Sequence, residues 1–331
     1  MPSHIPSRII QAAAATLALL ALQSAHADEY SAGLKARRHA EVERAASARL
    51  AQDPNDADAL VAKNRAILGS GDTARTDEAV KLGETCVARH PNHSRCQLAL
   101  GEALGTRALT NGVLSALGYA GTIREAFKKA VELDPKSVDA RFSLLDYYLN
   151  APGIVGGGAD KGRALVTQTA TVLPDAAKLM QAKLDIMDGN KAKAESAVLG
   201  VRAGDNDELA DHQAELLYML GGIYANEKKF ADAERVFKAM QQRVPEHELT
   251  LFGTGRVLQE QGKHREALAS FEQALVKMPR PHVWYRIGQS WQAVGDKAKA
   301  GAAYQKALSF KTGLPDKQRD DAERQLKSLK S

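Results

Sequence analysis

Apolar residues recur along this chain at helical spacing almost from end to end. Over 217–245 the large or small apolar positions are Leu217, Leu220, Gly221, Tyr224, Ala233, Phe237 and Met240, and Pro245 closes the stretch. Leu251, Thr254, Gly255, Leu258, Ala267, Phe271, Ala274 and Pro279 fall in the same relative places, as do Trp284, Ile287, Gly288, Trp291, Ala300, Tyr304 and Ala307. Positions i, i+3 and i+7 form the core stripe of a first helix, and a second stripe follows after a turn. Gly262 and Gly295 sit where that turn needs positive φ. Pro245 and Pro279 stop the second helix, which proline cannot continue. The prediction is a series of helical hairpins, with Gly221, Gly255 and Gly288 where a second helix crosses too closely for a side chain.

The three segments repeat about every 34 residues, and the pattern W-x2-L-G-x2-Y…A-x3-F…A…P resembles the tetratricopeptide repeat. The resemblance implies an all-α fold, a right-handed α-solenoid of helix-turn-helix repeats. Weaker copies extend it toward the N-terminus. Residues 56–91 make a first unit closed by Pro91. Leu100-Gly101, Leu104, Phe127, Ala130 and Pro135 make a second, its hairpin stretched around Thr110-Asn111-Gly112. Helices near 138–149 and 159–172 make a third, with the enlarged loop NAPGIVGGG over 150–158. Residues 175–205 are a degenerate unit turning at Gly189. A lead-in helix over 30–52, about seven helix pairs over 56–313 and a polar capping helix over 315–330 complete a single solenoid from residue 28 to residue 331. The stretch REAFKKAVELDP followed by DARFSLLDYYLNAPGIVGGGADK is similar to a subset of exported bacterial repeat proteins with a Pro-Gly-Ile-x-Gly-Gly loop, and that likeness implies location and fold but no activity.

The first 27 residues follow a different rule. Arg8 precedes the uncharged apolar run Ile9–Leu22, and Ala25-His26-Ala27 gives an A-x-A cleavage pattern. This order reads as a secretory signal peptide, because a spanning helix needs ~20 apolar residues. Removal after Ala27 would leave a periplasmic or secreted protein that is not embedded in the membrane. The remainder is about nine lengths of 34, so the 331 residues make one stack, not two globular domains. An aromatic content of 5% suits that stack, in which each repeat needs one or two rings among Ala and Gly. The formal net charge of +5 is small for this length, and no Lys/Arg block with interleaved aromatics marks a nucleic-acid surface.

Chemistry-bearing motifs are few. Gly156-Gly157-Gly158 precedes a helix, but the lysine of a phosphate-binding loop is missing, and a tight turn accounts for it. Cys86, His90, His93 and Cys96 are all metal-ligand types, but their spacing matches no usual zinc pattern. Cys86 and Cys96 flank the turn His90-Pro91-Asn92-His93 symmetrically, so a disulfide in an oxidising compartment, two buried thiols and a metal site are the alternatives. Asp53, Asp56 and Asp58 lack the glycine and distant glutamate of a calcium loop. No G-x-S-x-G, H-E-x-x-H or C-x-x-C-H motif is present, so neither catalysis nor a cofactor is expected.

The expected function is that of an exported scaffold or adaptor binding a protein or peptide through a concave groove. Within the repeat family the groove is lined by residues just after the first core slot and further along that face. These are Tyr218, Phe252 and Tyr285, followed by Arg256, Gln259, Gln289 and Gln292. Either the rings form an exposed ladder for an extended peptide, or they pack against the neighbouring repeat. The Lys and Asn with which chaperone-binding members grip a terminal carboxylate are absent. The alternative function is an accessory subunit of an envelope assembly machine, such as cytochrome maturation or cell-wall and outer-membrane biogenesis.

Overall fold

The computed structural model describes residues 30–244, 247–277, 279–310 and 313–330. The expected signal peptide, Pro245 and the chain terminus lie outside these residues. The architecture is an all-α helical repeat solenoid, with no strand among the described residues.

The chain enters through a helical turn, α1 (residues 30–35), and α2 (His39–Gln52). The single lead-in helix expected over 30–52 is therefore broken, at Arg37, whose φ is 56°. Seven antiparallel pairs follow. They are α3 (Ala57–Ser70) with α4 (Thr76–Arg89), α5 (Ser94–Asn111) with α6 (Ala120–Leu133), and α7 (Val138–Asn150) with α8 (Ala159–Ala170). Next come α9 (Pro174–Met187) with α10 (Lys191–Gly200), α11 (Asp207–Asn226) with α12 (Phe230–Arg243), α13 (Glu248–Glu260) with α14 (His264–Lys277), and α15 (Pro281–Ala293) with α16 (Lys297–Ser309). The closing helix is α17 (Asp316–Lys330).

Local signals set the starts. Asp56, Ser137, Asn206 and Asp296 each accept a hydrogen bond from a backbone amide in the first turn of the following helix. Such caps contribute about 1 kcal/mol each. Glycines at positive φ turn several hairpins, among them Gly189, Gly262 and Gly295.

Packing within a pair follows one device repeated four times. A Cβ on Gly101, Gly221, Gly255 or Gly288 would lie 2.4–2.7 Å from the ring of Phe127, Phe237, Phe271 or Tyr304. The ring of each second helix thus lies against the bare backbone of its first helix. Ala233, Ala267 and Ala300 are fully buried beside these rings. The first helices of neighbouring pairs touch one another, whereas the second helices are splayed apart. First helices therefore line the inside of the curve. The curvature is tight enough for α11 to touch α7, two pairs back. It also brings distant parts of the chain together: Arg280 Nη2, ahead of α15, donates to Gly69 O of α3 at 3.1 Å, and Lys35 Nζ of α1 donates to Asp207 Oδ1 of α11 at 2.5 Å.

Candidate functional site

The residues expected to form an aromatic ladder are placed otherwise. Phe252 is only 6% exposed and Tyr285 7%. Phe252 packs between Tyr218 and Phe271 with its edge toward His282. Tyr285 donates from its hydroxyl to Asp321 Oδ2 of the closing helix at 2.8 Å and takes a hydrogen bond from Gln289 Nε2 at 2.9 Å. Gln259 is buried and donates to Arg286 O and Ser290 Oγ. Gln292 donates to Gln325 and accepts from the Tyr304 hydroxyl. The slot after the first core position here faces the next first helix or α17, so tight curvature closes what a wider superhelix would leave open. Tyr218 and Arg256 remain half-buried, in contact at 3.4 Å between the guanidinium and the phenol oxygen.

The inner face further toward the N-terminus carries charge instead of rings. Arg65 of α3 reaches Glu102 of α5 at 3.4 Å and Asp139 of α7 at 3.3 Å. His212 of α11 lies 3.2 Å from Asp139 and 3.4 Å from Glu215, and its ring stacks on Phe142 at 3.8 Å. Glu208 accepts the backbone amides of Val138 and Asp139. Lys183 of α9 pairs with Asp146 of α7. Asp211, next to His212, lies near Arg37 and 4.0 Å from His247. With it the carboxylates of Glu102, Asp139, Asp146, Glu208 and Glu215 outnumber the cations Arg37, Arg65, Lys183 and His212, and the crevice is acidic. The heads stay in reach of solvent: the side chains of Arg65, Glu102 and Asp139 are 26%, 27% and 24% exposed.

The titration behaviour follows from this geometry. Desolvation opposes the His212 imidazolium, but the hydrogen bonds and charges of Asp139 and Glu215 outweigh it and raise its pKa to about 9. Burial raises the Glu102 carboxyl, and the negative charges of Asp139 and Glu208 add to that, against the pull of Arg65. Toward the C-terminus the sign reverses. His282 stands among Arg280, Arg286 and Arg256, and burial together with those cations lowers it to about 4.

The remaining motifs resolve simply. Cys86 and Cys96 are joined as a disulfide linking α4 to α5, and both are buried. Among the described residues no group of three His, Cys, Asp or Glu is placed to hold a metal, and no helix is long and apolar enough to cross a membrane. The amides of Gly156, Gly157 and Gly158 all donate within the hairpin, to Gly153 O, Pro152 O and Tyr148 O. They are consumed and cannot cradle an anion. A Cβ on Gly157 would meet Ala151 O at 1.8 Å, so the glycine run serves close backbone approach.

Sequence reading missed one feature. The two enlarged hairpins, Gly112–Tyr119 and Ala151–Gly158, stand side by side and close a cavity of about 380 Å³ with the ends of α5 and α7. Its walls are mostly apolar, and Glu102 and Asp146 are its charged side chains. Two of its lining residues are large, apolar and exposed, Leu109 (81%) and Leu117 (47%).

Residues 252–315 match the family model for the tetratricopeptide repeat. No curated protein matches the chain. Among solved structures, it is similar to the human IFIT1 dimer with m7Gppp-AAAA (TM-score 0.52, 15% identity, 82% of this chain and 62% of that one). It is also similar to a chain of the APC/C hetero-tetramer Cut9-Hcn1 (TM-score 0.48, 18% identity, 92% and 55%). A third is a tetratricopeptide repeat protein from Parabacteroides merdae ATCC 43184 (TM-score 0.42, 13% identity, 93% and 99%). The chain therefore spans little more than half of the first of these, APC/C chain and IFIT1 alike. At these identities the likeness is one of fold alone, an all-α helical repeat solenoid.

Proposed function

We propose that the protein is an exported, non-enzymatic scaffold that acts in the periplasm and binds a protein or peptide partner along its inner face. The observation that carries this reading is the acidic crevice on α3, α5, α7 and α11, which is solvent-reachable yet enclosed by the curve of the solenoid. Its excess of carboxylates favours a basic segment and repels a polyanion. An RNA such as the m7Gppp-AAAA of the IFIT1 structure would therefore be a poor ligand for this chain, whatever the shared fold. Tyr218 and Arg256 continue the path toward the C-terminal pairs, where arginines replace the acids. Export rests on the charged start, the apolar run and the Ala25-His26-Ala27 site. An accessory role in an envelope assembly machine is the narrower form of the same reading.

Cross-linking in the producing cells, with identification of what is captured, tests it. Asp139→Asn combined with Glu215→Gln should keep the helical circular dichroism signal and lose the partner. A small, non-peptidic molecule carried through purification in defined ratio would overturn the scaffold. Amino-terminal sequencing of the exported protein should begin at Asp28; an intact Met1 in the envelope fraction would overturn cleavage.

A further inference from the structure

We infer that the cavity between the two enlarged hairpins is a recognition pocket for a lysine or arginine side chain set between large apolar residues of a partner peptide. The inference rests on the peptide-binding reading and specifies where the peptide is anchored and by what.

Three observations converge. The first is size: about 380 Å³ falls in the range of ligand sites, and by the scale of a ~150 Å³ cavity that holds one benzene it takes one long side chain and part of a second. The second is charge. Glu102 and Asp146 are in the lining, and no Lys, Arg or His is. Their own cations stand on the crevice side, and Arg65 is shared between Glu102 and Asp139. A cation entering from the loop side would meet a carboxylate that is incompletely neutralised. A long aliphatic stem suits such a path, apolar along its length and polar at its end. The third is the rim. Leu109 and Leu117 line the cavity and are exposed, although most large apolar side chains elsewhere are covered. A free amine would fill the cavity and leave that rim bare. A basic residue flanked by apolar ones covers both.

The loops are built to hold this shape. The Tyr147 hydroxyl donates to Val155 O at 2.7 Å, Arg124 Nη1 donates to the same carbonyl at 3.2 Å, and Lys161 Nζ donates to Gly156 O at 2.9 Å. The 150–158 loop is thereby tied to α6, α7 and α8, so its opening is a preformed feature of the fold.

Fluorescence anisotropy with a capped, labelled Leu-Ile-Lys-Leu-Ile peptide on the full chain tests the inference. Replacing its lysine by norleucine or glutamate should weaken binding at least tenfold. Leu109→Asp and Leu117→Asp, both at exposed positions and without effect on melting, should weaken the lysine peptide by a similar factor. Glu102→Gln should erase the preference for lysine over norleucine while norleucine binding persists. Equal affinity for the lysine and norleucine peptides, indifference to Leu117→Asp, or no binding of any of the peptides would overturn the pocket. Hexylamine binding as tightly as the peptide would overturn the peptide assignment in favour of a free amine. If cellular capture of a partner is lost in Asp139→Asn/Glu215→Gln but survives Leu109→Asp and Leu117→Asp, this pocket fails and the inner-face reading stands. Peptide binding in the pocket with no partner captured by the inner face fails that reading instead.

Discussion

The last three helix pairs, α11 to α16, and the first four, α3 to α10, use one fold in opposite ways. The C-terminal pairs are regular: short hairpins, a ring on a glycine in each pair, and inner-face side chains consumed by the next helix. The N-terminal pairs are irregular. They carry a disulfide, two enlarged loops and an open cavity, and together with the start of α11 they enclose a crevice in which carboxylates outnumber cations. The charge differs as well, with His212 held as a cation among acids and His282 held neutral among arginines. Regularity leaves little surface unspent, so uncommitted charged and apolar side chains concentrate where the repeat departs from its pattern.

The regular half should break at its rings. Phe271 is fully buried and packs on Gly255 and Phe252. Phe271→Ala should destabilise by about 3–5 kcal/mol, since truncation loses transfer energy and leaves a void. Gly255→Ala introduces a Cβ at 2.6 Å from the same ring and should cost about 1–3 kcal/mol by overpacking. Urea melts followed by tryptophan fluorescence would check both, because Trp284 and Trp291 pack in the same cluster. A loss below 1 kcal/mol for Phe271→Ala would mean that the C-terminal pairs do not depend on this device.

The irregular half has its own staple, and its contact with α11 has its own pH response. Reducing Cys86–Cys96 should cost about 3 kcal/mol for so short a loop in the chain-entropy model. Limited proteolysis under reductant should then cut first in α3 to α6, and cleavage beginning at α13 to α16 would contradict the division. His212 sets the pH response. Its pKa in the fold is about 9, above the ~6.5 of an unfolded histidine, so its contribution is complete below pH ~6.5 and declines as pH rises through about 9. The total decline should be on the order of 2–3 kcal/mol, because its side chain is only 16% exposed and solvent screens it little. Asp139, Glu215, Lys183, Asp211 and His247 share this environment, so the comparison is with His212→Gln, which should flatten the alkaline limb of stability against pH.

The two halves were also unequally legible. The slots of Leu217, Leu251 and Trp284 and their glycines announce the C-terminal pairs, because that pattern is local within one hairpin. The N-terminal helices are legible too, through Pro91, Pro135 and the N-cap residues. The chemistry of the inner crevice is not: Arg65, Glu102, Asp139 and His212 come from α3, α5, α7 and α11 and meet only through curvature. The cavity needs two loops from separate pairs. The break at Arg37 escapes sequence reading because an arginine gives no turn signal. The burial of Phe252 and Tyr285 depends on how tightly successive first helices approach, a property of the stack and not of any one repeat.

The smallest effect sharpens the contrast best. Both halves contain helical glycines, but for different reasons. Gly255 is held by a ring, whereas Gly121, in the first turn of α6, has no atom within 4 Å of the place a Cβ would take. No packing requires it, and its φ is not in the left-handed region. Ala at that position gains helix propensity and restricts the unfolded chain, so Gly121→Ala should stabilise by about 0.5–1 kcal/mol. The same chemical change thus carries opposite signs in α6 and α13. If thermal melts showed both substitutions to be destabilising by similar amounts, Gly121 would have a neighbour that the fold does not reveal, and the irregular half would be more tightly packed than its loops suggest.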